Sequence, residues 1–166
     1  MNSKEEQALK SALLFAEKKH SGQKRIGGEP YITHPKAVAK IISDKGYGSE
    51  YIITALFHDL LEDTDATEQE IVDLGGKRVL RAVKLLTKTD KIIMSDYISG
   101  IKSDPMAFAV KGADRLHNLM TADCTDKSFK LRYIEETRLW YMDFMPEIPR
   151  AVEALEMTVK KNKHLS

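Results

Sequence analysis

The sequence predicts an all-α protein that consists of a single domain. Between short clusters of Pro and Gly, apolar side chains recur at three- and four-residue intervals, the spacing of helices that bury one face. No segment alternates apolar and polar residues as a half-buried β-strand does, and no internal repeat or low-complexity tail is evident. The 166 residues match one domain in size, so we expect residues 1–166 to form a single unit of about eight to ten helices.

The composition is that of an ordinary soluble globular protein, with 42% hydrophobic and 31% charged residues. A formal net charge of +1 gives no sign of a nucleic-acid partner or an anionic membrane surface. The single cysteine, Cys124, excludes an internal disulfide and a Cys-based zinc site. No apolar signal segment or run of transmembrane length is present, so we expect a cytoplasmic location and no membrane partner. The sequence leaves the oligomeric state open.

Glycine and proline bound the first predicted helices. Apolar residues at helical spacing predict a helix over 4–19, and Gly22 suits the left-handed position that follows a helix C-terminus. Residues 24–34 are predicted to form a loop. Pro35 then fits the first turn of a second helix, which we expect to extend to about Asp44.

Capping residues mark the helices that follow. Ser49 is predicted to be the N-cap of a helix that carries His58 and Asp59. Thr67, with Glu70 three residues later, forms the pattern of a capping box. The remaining predicted boundaries are a stop at Gly75-Gly76 and helices over about 79–87, 92–101, 104–122, 126–144 and 146–161.

The segment 57–64 places His58, Asp59, Glu62 and Asp63 inside an apolar run. On a helix, positions i, i+3 and i+4 share a face, so the three carboxylates are predicted to converge. Burial of an unpaired carboxylate is costly, and a bound cation would offset that cost. The alternative is a hydrogen-bonded core histidine beside an exposed, acidic helix end.

A second polar cluster lies on the helix predicted over 104–122. Asp114, Asn118 and Thr121 occupy positions i, i+4 and i+7, and Lys111 precedes them by one turn. A polar stripe on a helix otherwise suited to burial usually faces a cavity or a ligand. The alternative is a surface face with hydrogen bonds between helices, which is reasonable for Lys111 and for Arg115.

Two further histidines belong to these segments. His34 lies where the loop meets the second helix, and Pro35 stiffens that junction, which suits a metal ligand better than a free loop would. His117 could contact a metal ligand or pack as a plain imidazole, and we interpret it as packed.

Together these segments predict a divalent metal site. Imidazole nitrogens mixed with carboxylate oxygens suit Mn²⁺, Fe²⁺ or Zn²⁺ and do not suit a closed structural zinc site. An ion with open positions can lower the pKa of water and hold a phosphate oxygen. Glu62 and Asp63 are then placed to orient that water or pass its proton. The predicted ligands are His34, His58, Asp59 and Asp114.

The order of these motifs resembles the HD phosphohydrolase superfamily and, more closely, the alarmone (ppGpp) hydrolase domain of Rel/Spo-type proteins. Four segments carry the resemblance in the same order, and Thr87-Lys88 falls where that family often has a Thr-Lys pair. The similarity spans essentially the whole chain. It implies an HD-domain helical bundle and a stand-alone small alarmone hydrolase. The four segments are 20–25, 28–35, 57–64 and 113–119.

The resemblance also implies a reaction, a Mn²⁺-dependent removal of pyrophosphate from the ribose 3′ position of (p)ppGpp that gives GDP or GTP. The four predicted ligands match the family's metal ligands, and Glu62 and Asp63 match its catalytic pair. Arg25, Asn118 and Thr121 match positions that hold the nucleoside. An arginine can stack on a purine, while an amide and a hydroxyl can hydrogen-bond the base or sugar. The basic neighbour of Arg25, Lys24, is placed with these substrate-binding residues.

Two departures from the family's sequence pattern leave the identity of the nucleotide substrate open. Ile26 stands where many relatives have a basic residue, and Leu119-Met120 stands where they often have Met-Arg. Both changes remove positive charge. Removal of the 2′-phosphate of NADPH and hydrolysis of adenosine alarmones are therefore alternatives. A nucleotide-binding regulator without catalysis is disfavoured, because all four ligands and both catalytic carboxylates are present.

Overall fold

The structure is a computed structural model that describes residues 3–89 and 91–161, and these residues are helical apart from their connections. The all-α prediction is confirmed. In the described residues, strand-like pairing is limited to one isolated bridge between Lys24 and Pro30. The helices are α1 (Ser3–Lys19), α2 (Thr33–Asp44), α3 (Ser49–Phe57), α4 (Leu60–Asp63), α5 (Glu68–Leu86), α6 (Met94–Lys102), α7 (Pro105–Thr121), α8 (Lys127–Trp140) and α9 (Ile148–Lys161), with a 3₁₀ turn at Ala122–Cys124.

Two helices form the centre of the bundle. Helix α3 packs against α1, α2, α5 and α7, and α7 packs in turn against α2, α5, α6 and α9. Phe57 and Val110 are fully buried between these layers. Burial of each such side chain stabilises the fold by about 1.5–3 kcal/mol. Among the helices that the structure describes, none has both the length and the apolar character needed to cross a membrane.

Several local predictions are confirmed. Thr67 and Glu70 form the capping box at the start of α5, with both reciprocal hydrogen bonds present. Gly22 has a φ of 80° after α1, and Pro35 lies in the first turn of α2. Helix α5 is kinked at Gly76, where φ is 84°, so the predicted stop lies inside a longer helical element.

Other boundaries were predicted wrongly. Gly48, with extended backbone, is the N-cap of α3, and Ser49 is the first helical residue and does not cap it. The helix predicted to carry His58 and Asp59 ends at Phe57, with His58 as its C-cap. Asp59, with φ −101° and ψ −3° at the edge of the helical region, is the N-cap of α4. Helices α8 and α9 are shorter than predicted, because α8 ends at Trp140 and α9 begins at Ile148. Tyr141 and Phe144 are buried in the turn between them.

Helix α7 makes a very close approach to the chain at Phe144. A Cβ atom built on Gly112 would lie 2.8 Å from the Phe144 carbonyl oxygen, which is backbone and cannot rotate away. The glycine therefore allows α7 to sit against the turn between α8 and α9. This contact holds α7 in place along the part of the helix that precedes Asp114.

We predict that Gly112→Ala lowers the free energy of unfolding by about 1–3 kcal/mol, because the added methyl group overpacks the contact. Gly100→Ala in α6 is the matched control, since its Cβ would lie 3.4 Å from Leu85 Cδ2, in ordinary contact. For that variant the higher helix propensity of alanine predicts an unchanged or slightly higher stability. Urea unfolding midpoints check both variants, and equal effects would contradict the close approach.

Candidate metal centre

Three parts of the chain meet at one cluster of imidazoles and carboxylates. His34 is in the first turn of α2, His58 and Asp59 lie at the break between α3 and α4, and Asp114 is in the middle of α7. On a continuous helix, adjacent side chains diverge by about 100° around the axis. Because the chain leaves α3 at His58, this neighbouring pair can point to a common position. The break between α3 and α4, which the helical periodicity did not predict, therefore lies where both side chains turn toward the cluster.

The distances among His34, His58 and Asp59 fit ligands of a single ion, and Asp114 adjoins this group through His34. His34 Nε2 lies 3.2 Å from His58 Nε2 and 3.1 Å from Asp114 Oδ1, and His58 Nε2 lies 3.0 Å from Asp59 Oδ2. The diagonal pairs, His34 with Asp59 and His58 with Asp114, are both 3.8 Å apart. Two ligands that each lie about 2.1 Å from one metal are about 3–3.5 Å apart. The cluster thus indicates a divalent metal.

The cluster is buried, so its charges must be compensated by one another and not by water. His34, His58 and Asp114 are only 3%, 2% and 5% exposed. Burial lowers the pKa of His58, but the carboxylates of Asp59 and Asp114 outweigh that effect and raise it to about 9. Burial raises the pKa of Asp59, yet the neighbouring His58 brings it down to about 2. The carboxylates therefore favour positive charge between the imidazoles, where a cation would supply it.

Hydrogen bonds from outside the cluster orient both imidazoles. His58 Nδ1 donates to the Ala55 carbonyl oxygen at 2.7 Å, which leaves Nε2 facing the cluster. His34 Nδ1 lies 2.8 Å from His117 Nδ1, and Arg25 Nη1 lies 3.5 Å from the same nitrogen. Arginine has only donors, so His117 Nδ1 is an acceptor and His34 donates to it.

The interpretation of His117 as a plain packed imidazole is therefore wrong. Burial, with repulsion from His34 and Arg25, lowers the pKa of His117 to about 4 and keeps the ring neutral. A neutral ring accepts the His34 proton and leaves His34 Nε2 free to bind a metal. The contact joins residues 83 positions apart, so helical spacing alone could not reveal it.

The carboxylates beside the cluster separate into two groups. Tyr31 donates from its hydroxyl to Asp59 Oδ2 at 2.6 Å and lies 3.1 Å from Asp63 Oδ2. Glu62 faces another way, because its Oε2 accepts from the backbone N–H of Lys88 at 2.8 Å. The predicted convergence holds for the two aspartates through Tyr31, whereas Glu62 is directed toward the end of α5. Nothing in the spacing of residues 57–64 singled out Tyr31.

The residues predicted to bind substrate are also brought together. Arg25 Nη2 donates to Asn118 Oδ1 at 3.1 Å and to Thr121 Oγ1 at 3.0 Å. Asn118 Nδ2 donates in turn to Asp114 Oδ1 at 2.7 Å, which connects this group to the cluster. Lys24 lies on the surface of the same cleft.

A cleft of about 390 Å³ opens over the cluster and is lined by Arg25, Asp59, Glu62, Asp63, Asp114 and Asn118, among others. Lys111 and Arg115 also line it and are largely buried, so the exposed surface expected for these two residues is wrong. The hydrogen bonds between helices in that alternative are present for Arg115, which donates to Thr137 and Glu136. Lys111 Nζ is 2.7 Å from Asp114 Oδ2, and Arg115 is 2% exposed. The cleft joins the metal-binding, acidic and basic groups on one surface.

A family model described as HD domain matches residues 12–144. The chain is 38% identical over 143 residues to a protein named GTP pyrophosphokinase rsh from Brucella ovis, covering 80% of this chain and 19% of that protein. It is 37% identical over 140 residues to the bifunctional (p)ppGpp synthase/hydrolase SpoT of Escherichia coli, covering 78% and 20%. The chain thus spans about a fifth of the length of these relatives.

A solved structure, described as a metazoan ortholog of SpoT that hydrolyzes ppGpp, superposes with a TM-score of 0.72 at 21% identity. The match covers 89% of this chain and 94% of the other. At this level of identity the likeness shows a shared fold.

We predict that divalent metal raises the melting temperature of the wild-type chain by roughly 5–10 °C at 100 times the dissociation constant. Asp59→Ala should lose this shift, because it removes one ligand oxygen. Asp65→Ala is the control, since Asp65 is exposed and pairs with Lys19 outside the cleft. Differential scanning fluorimetry with Mn²⁺ and then with a chelator measures the shift. A full shift in Asp59→Ala would show that the cluster is not the metal site.

Proposed function

The chain belongs to the HD-domain family, and we propose that it hydrolyses the 3′-pyrophosphate of the guanosine alarmones ppGpp and pppGpp, releasing GDP or GTP and pyrophosphate. The observation that carries the proposal is one cleft in which three potential metal ligands, in contact with His58, adjoin two carboxylates and an Arg–Asn–Thr group. The names of the relatives, which include (p)ppGpp synthase/hydrolase, support the same reaction.

The proposed ion is Mn²⁺, with Fe²⁺ or Zn²⁺ as alternatives. Its donors are the two imidazole Nε2 atoms and one oxygen from each aspartate, a mixed set that leaves positions open. When bound, such an ion supplies Lewis-acid polarisation of a phosphate oxygen and of water. The residues proposed to hold it are His34, His58, Asp59 and Asp114.

Hydrolysis adds water across the bond between the ribose 3′ oxygen and the adjacent phosphorus. The hydroxyl group goes to that phosphorus, and the proton goes to the 3′ oxygen, which leaves as the free alcohol. One group must accept a proton from water and one must deliver a proton to the leaving oxygen. Glu62 and Asp63 are carboxylates in the cleft that are spare from the proposed ligand set, and we assign these proton transfers to them.

The nucleoside is proposed to lie at the end of the cleft formed by Arg25, Asn118 and Thr121. The guanidinium of Arg25 is held by two side-chain oxygens, so its plane is set before a base stacks on it. The amide and hydroxyl offer hydrogen bonds to the base or sugar. Lys24, exposed at the mouth of the cleft, is proposed to attract the phosphates.

One observation favours a second candidate class of substrate. Ile26 is 74% exposed on the wall of the cleft, and Met120 is 66% exposed one residue before Thr121. The uncharged side chains at these two positions add no attraction for phosphates beyond that of Lys24 and Arg25. Hydrolysis of adenosine alarmones or removal of the 2′-phosphate of NADPH is therefore the second candidate. A cytoplasmic location and the lack of a nucleic-acid or membrane partner remain predictions.

We predict that the Mn²⁺-loaded protein, given a panel of phosphorylated nucleotides, converts ppGpp to GDP and pyrophosphate, and that a chelator abolishes this turnover. Chromatography of the nucleotide products together with a pyrophosphate assay measures the outcome. Orthophosphate from NADPH, or products from adenosine alarmones alone, would establish the second candidate in place of the first. Binding of ppGpp without any product would show a regulator without catalysis.

We also predict that Glu62→Gln retains the metal but lowers kcat by roughly 10²–10⁴-fold, as expected when a general acid–base group is lost. Glu68→Gln is the control, because Glu68 pairs with Lys84 in α5 outside the cleft. Metal content is measured beside steady-state kinetics. A Glu62→Gln enzyme with wild-type kcat would remove Glu62 from the mechanism.

A further inference from the structure

Three cationic side chains line one wall of the cleft, on α7 and just after α5. Lys88 Nζ and Lys111 Nζ lie 5.5 Å and 6.0 Å from the centroid of the Tyr97 ring, so both ammonium groups border the same aromatic ring. The Arg115 guanidinium carbon lies 3.8 Å and 4.2 Å from the ring centroids of Tyr141 and Tyr133. Contacts of this kind hold cations in place without neutralising them.

The hydrogen bonds of Arg115 are incomplete. Its Nη1 donates to Thr137 Oγ1 at 3.3 Å, and its Nη2 donates to Glu136 Oε1 at 3.2 Å. The Nε atom is buried and has no hydrogen-bond partner, although Arg115 is only 2% exposed and lines the cleft. An unsatisfied buried donor on a cation is costly, and an anion that enters the cleft is a suitable partner.

These cations share few counterions. Lys111 is paired with Asp114, while the single carboxylate of Glu136 lies 3.2 Å from Arg115 Nη2 and 3.7 Å from Lys88 Nζ. Burial lowers the pKa of Lys88, and repulsion from Lys111 and Arg115 lowers it further. Glu62 also lies near Lys88, with its Oε2 accepting from the Lys88 backbone N–H. The three cations are therefore crowded together on this wall, and two of them share the carboxylate of Glu136.

The position of the wall follows from Asp114. Asp114 Oδ1 accepts from Asn118, which belongs to the proposed nucleoside end, and Oδ2 accepts from Lys111, which belongs to the cationic wall. A phosphorus atom that reacts beside Asp114 therefore has the nucleoside on one side and the cationic wall on the other. The group on that second side is the remaining phosphate of the scissile diphosphate.

We propose that Lys88, Lys111 and Arg115 form a subsite for the outer phosphate of the scissile 3′-diphosphate, with Glu136 as the carboxylate that this phosphate displaces. The assignment rests on the proposed function. Such a subsite selects a diphosphate over a single phosphate at the reacting position, because a monophosphate would leave the cationic wall without an anion. It also places the pyrophosphate product on this wall.

Binding of inorganic pyrophosphate to chelator-treated protein tests the subsite apart from the reaction. We expect calorimetry to show tighter binding of pyrophosphate than of orthophosphate, and roughly 10-fold weaker pyrophosphate binding by Lys88→Gln. Glu136→Gln should bind pyrophosphate more tightly than wild type, because a competing carboxylate is removed. Lys84→Gln, an exposed lysine paired with Glu68, is the matched control and should bind as wild type does.

These binding outcomes decide the subsite even if the protein does not turn over ppGpp, a result that would refute the proposed function alone. Equal binding of pyrophosphate and orthophosphate by wild type would overturn the subsite. So would unchanged pyrophosphate binding by Lys88→Gln, or weaker binding by a folded Glu136→Gln protein. Arg115 is left unchanged in the design, since its burial makes misfolding of a variant an expected result.

Turnover identifies which phosphates occupy the wall. The substrates are ppGpp and the same nucleotide with a 5′-diphosphate and a single 3′-phosphate. We expect Lys88→Gln to lower kcat/KM for ppGpp by a factor roughly 10-fold larger than for the 3′-monophosphate. Equal losses for the two substrates would place the 5′-diphosphate on the wall and overturn the assignment.

Discussion

Carboxylates enclosed in an apolar frame must be matched by positive charge, and the arrangement of the cleft follows from that requirement. Asp114 is buried on a central helix, and each of its oxygens has positive or donor groups beside it. Asp59 faces His58 in the same way. A buried carboxylate without a partner would cost roughly several kcal/mol. That cost favours the spacing of α2, the α3–α4 break and α7 at which their charged side chains compensate one another.

Two departures from regular helix geometry allow that spacing. The break after Phe57 turns a neighbouring His–Asp pair toward one point, and the missing Cβ of Gly112 lets α7 sit close against the turn that contains Phe144. Each has a local cost in helix propensity or continuity. Each serves the position of a polar side chain that the apolar core alone would not specify.

The helical fold and the candidate donors could be predicted from the sequence because their signals are local. The capping box at Thr67 depends on a residue three positions away, and the donor types at His58 and Asp59 can be read within one segment. The contact between His117 and His34 and the burial of Arg115 depend on how distant helices pack. Periodicity fixes which residues share a helix face, but it does not fix which face meets which neighbour, so these roles were missed.

The donor atoms of the cluster come from positions 34, 58–59 and 114, which lie on separate parts of the chain. Contacts of such long sequence separation form only when long loops close, so the cluster depends on distant parts of the chain together. A fragment that ends before α7 lacks one donor, and a fragment that begins after α2 lacks another. In a preparation that mixes intact and proteolysed molecules, the ion should partition to the intact ones, so metal content would serve as a gauge of chain integrity.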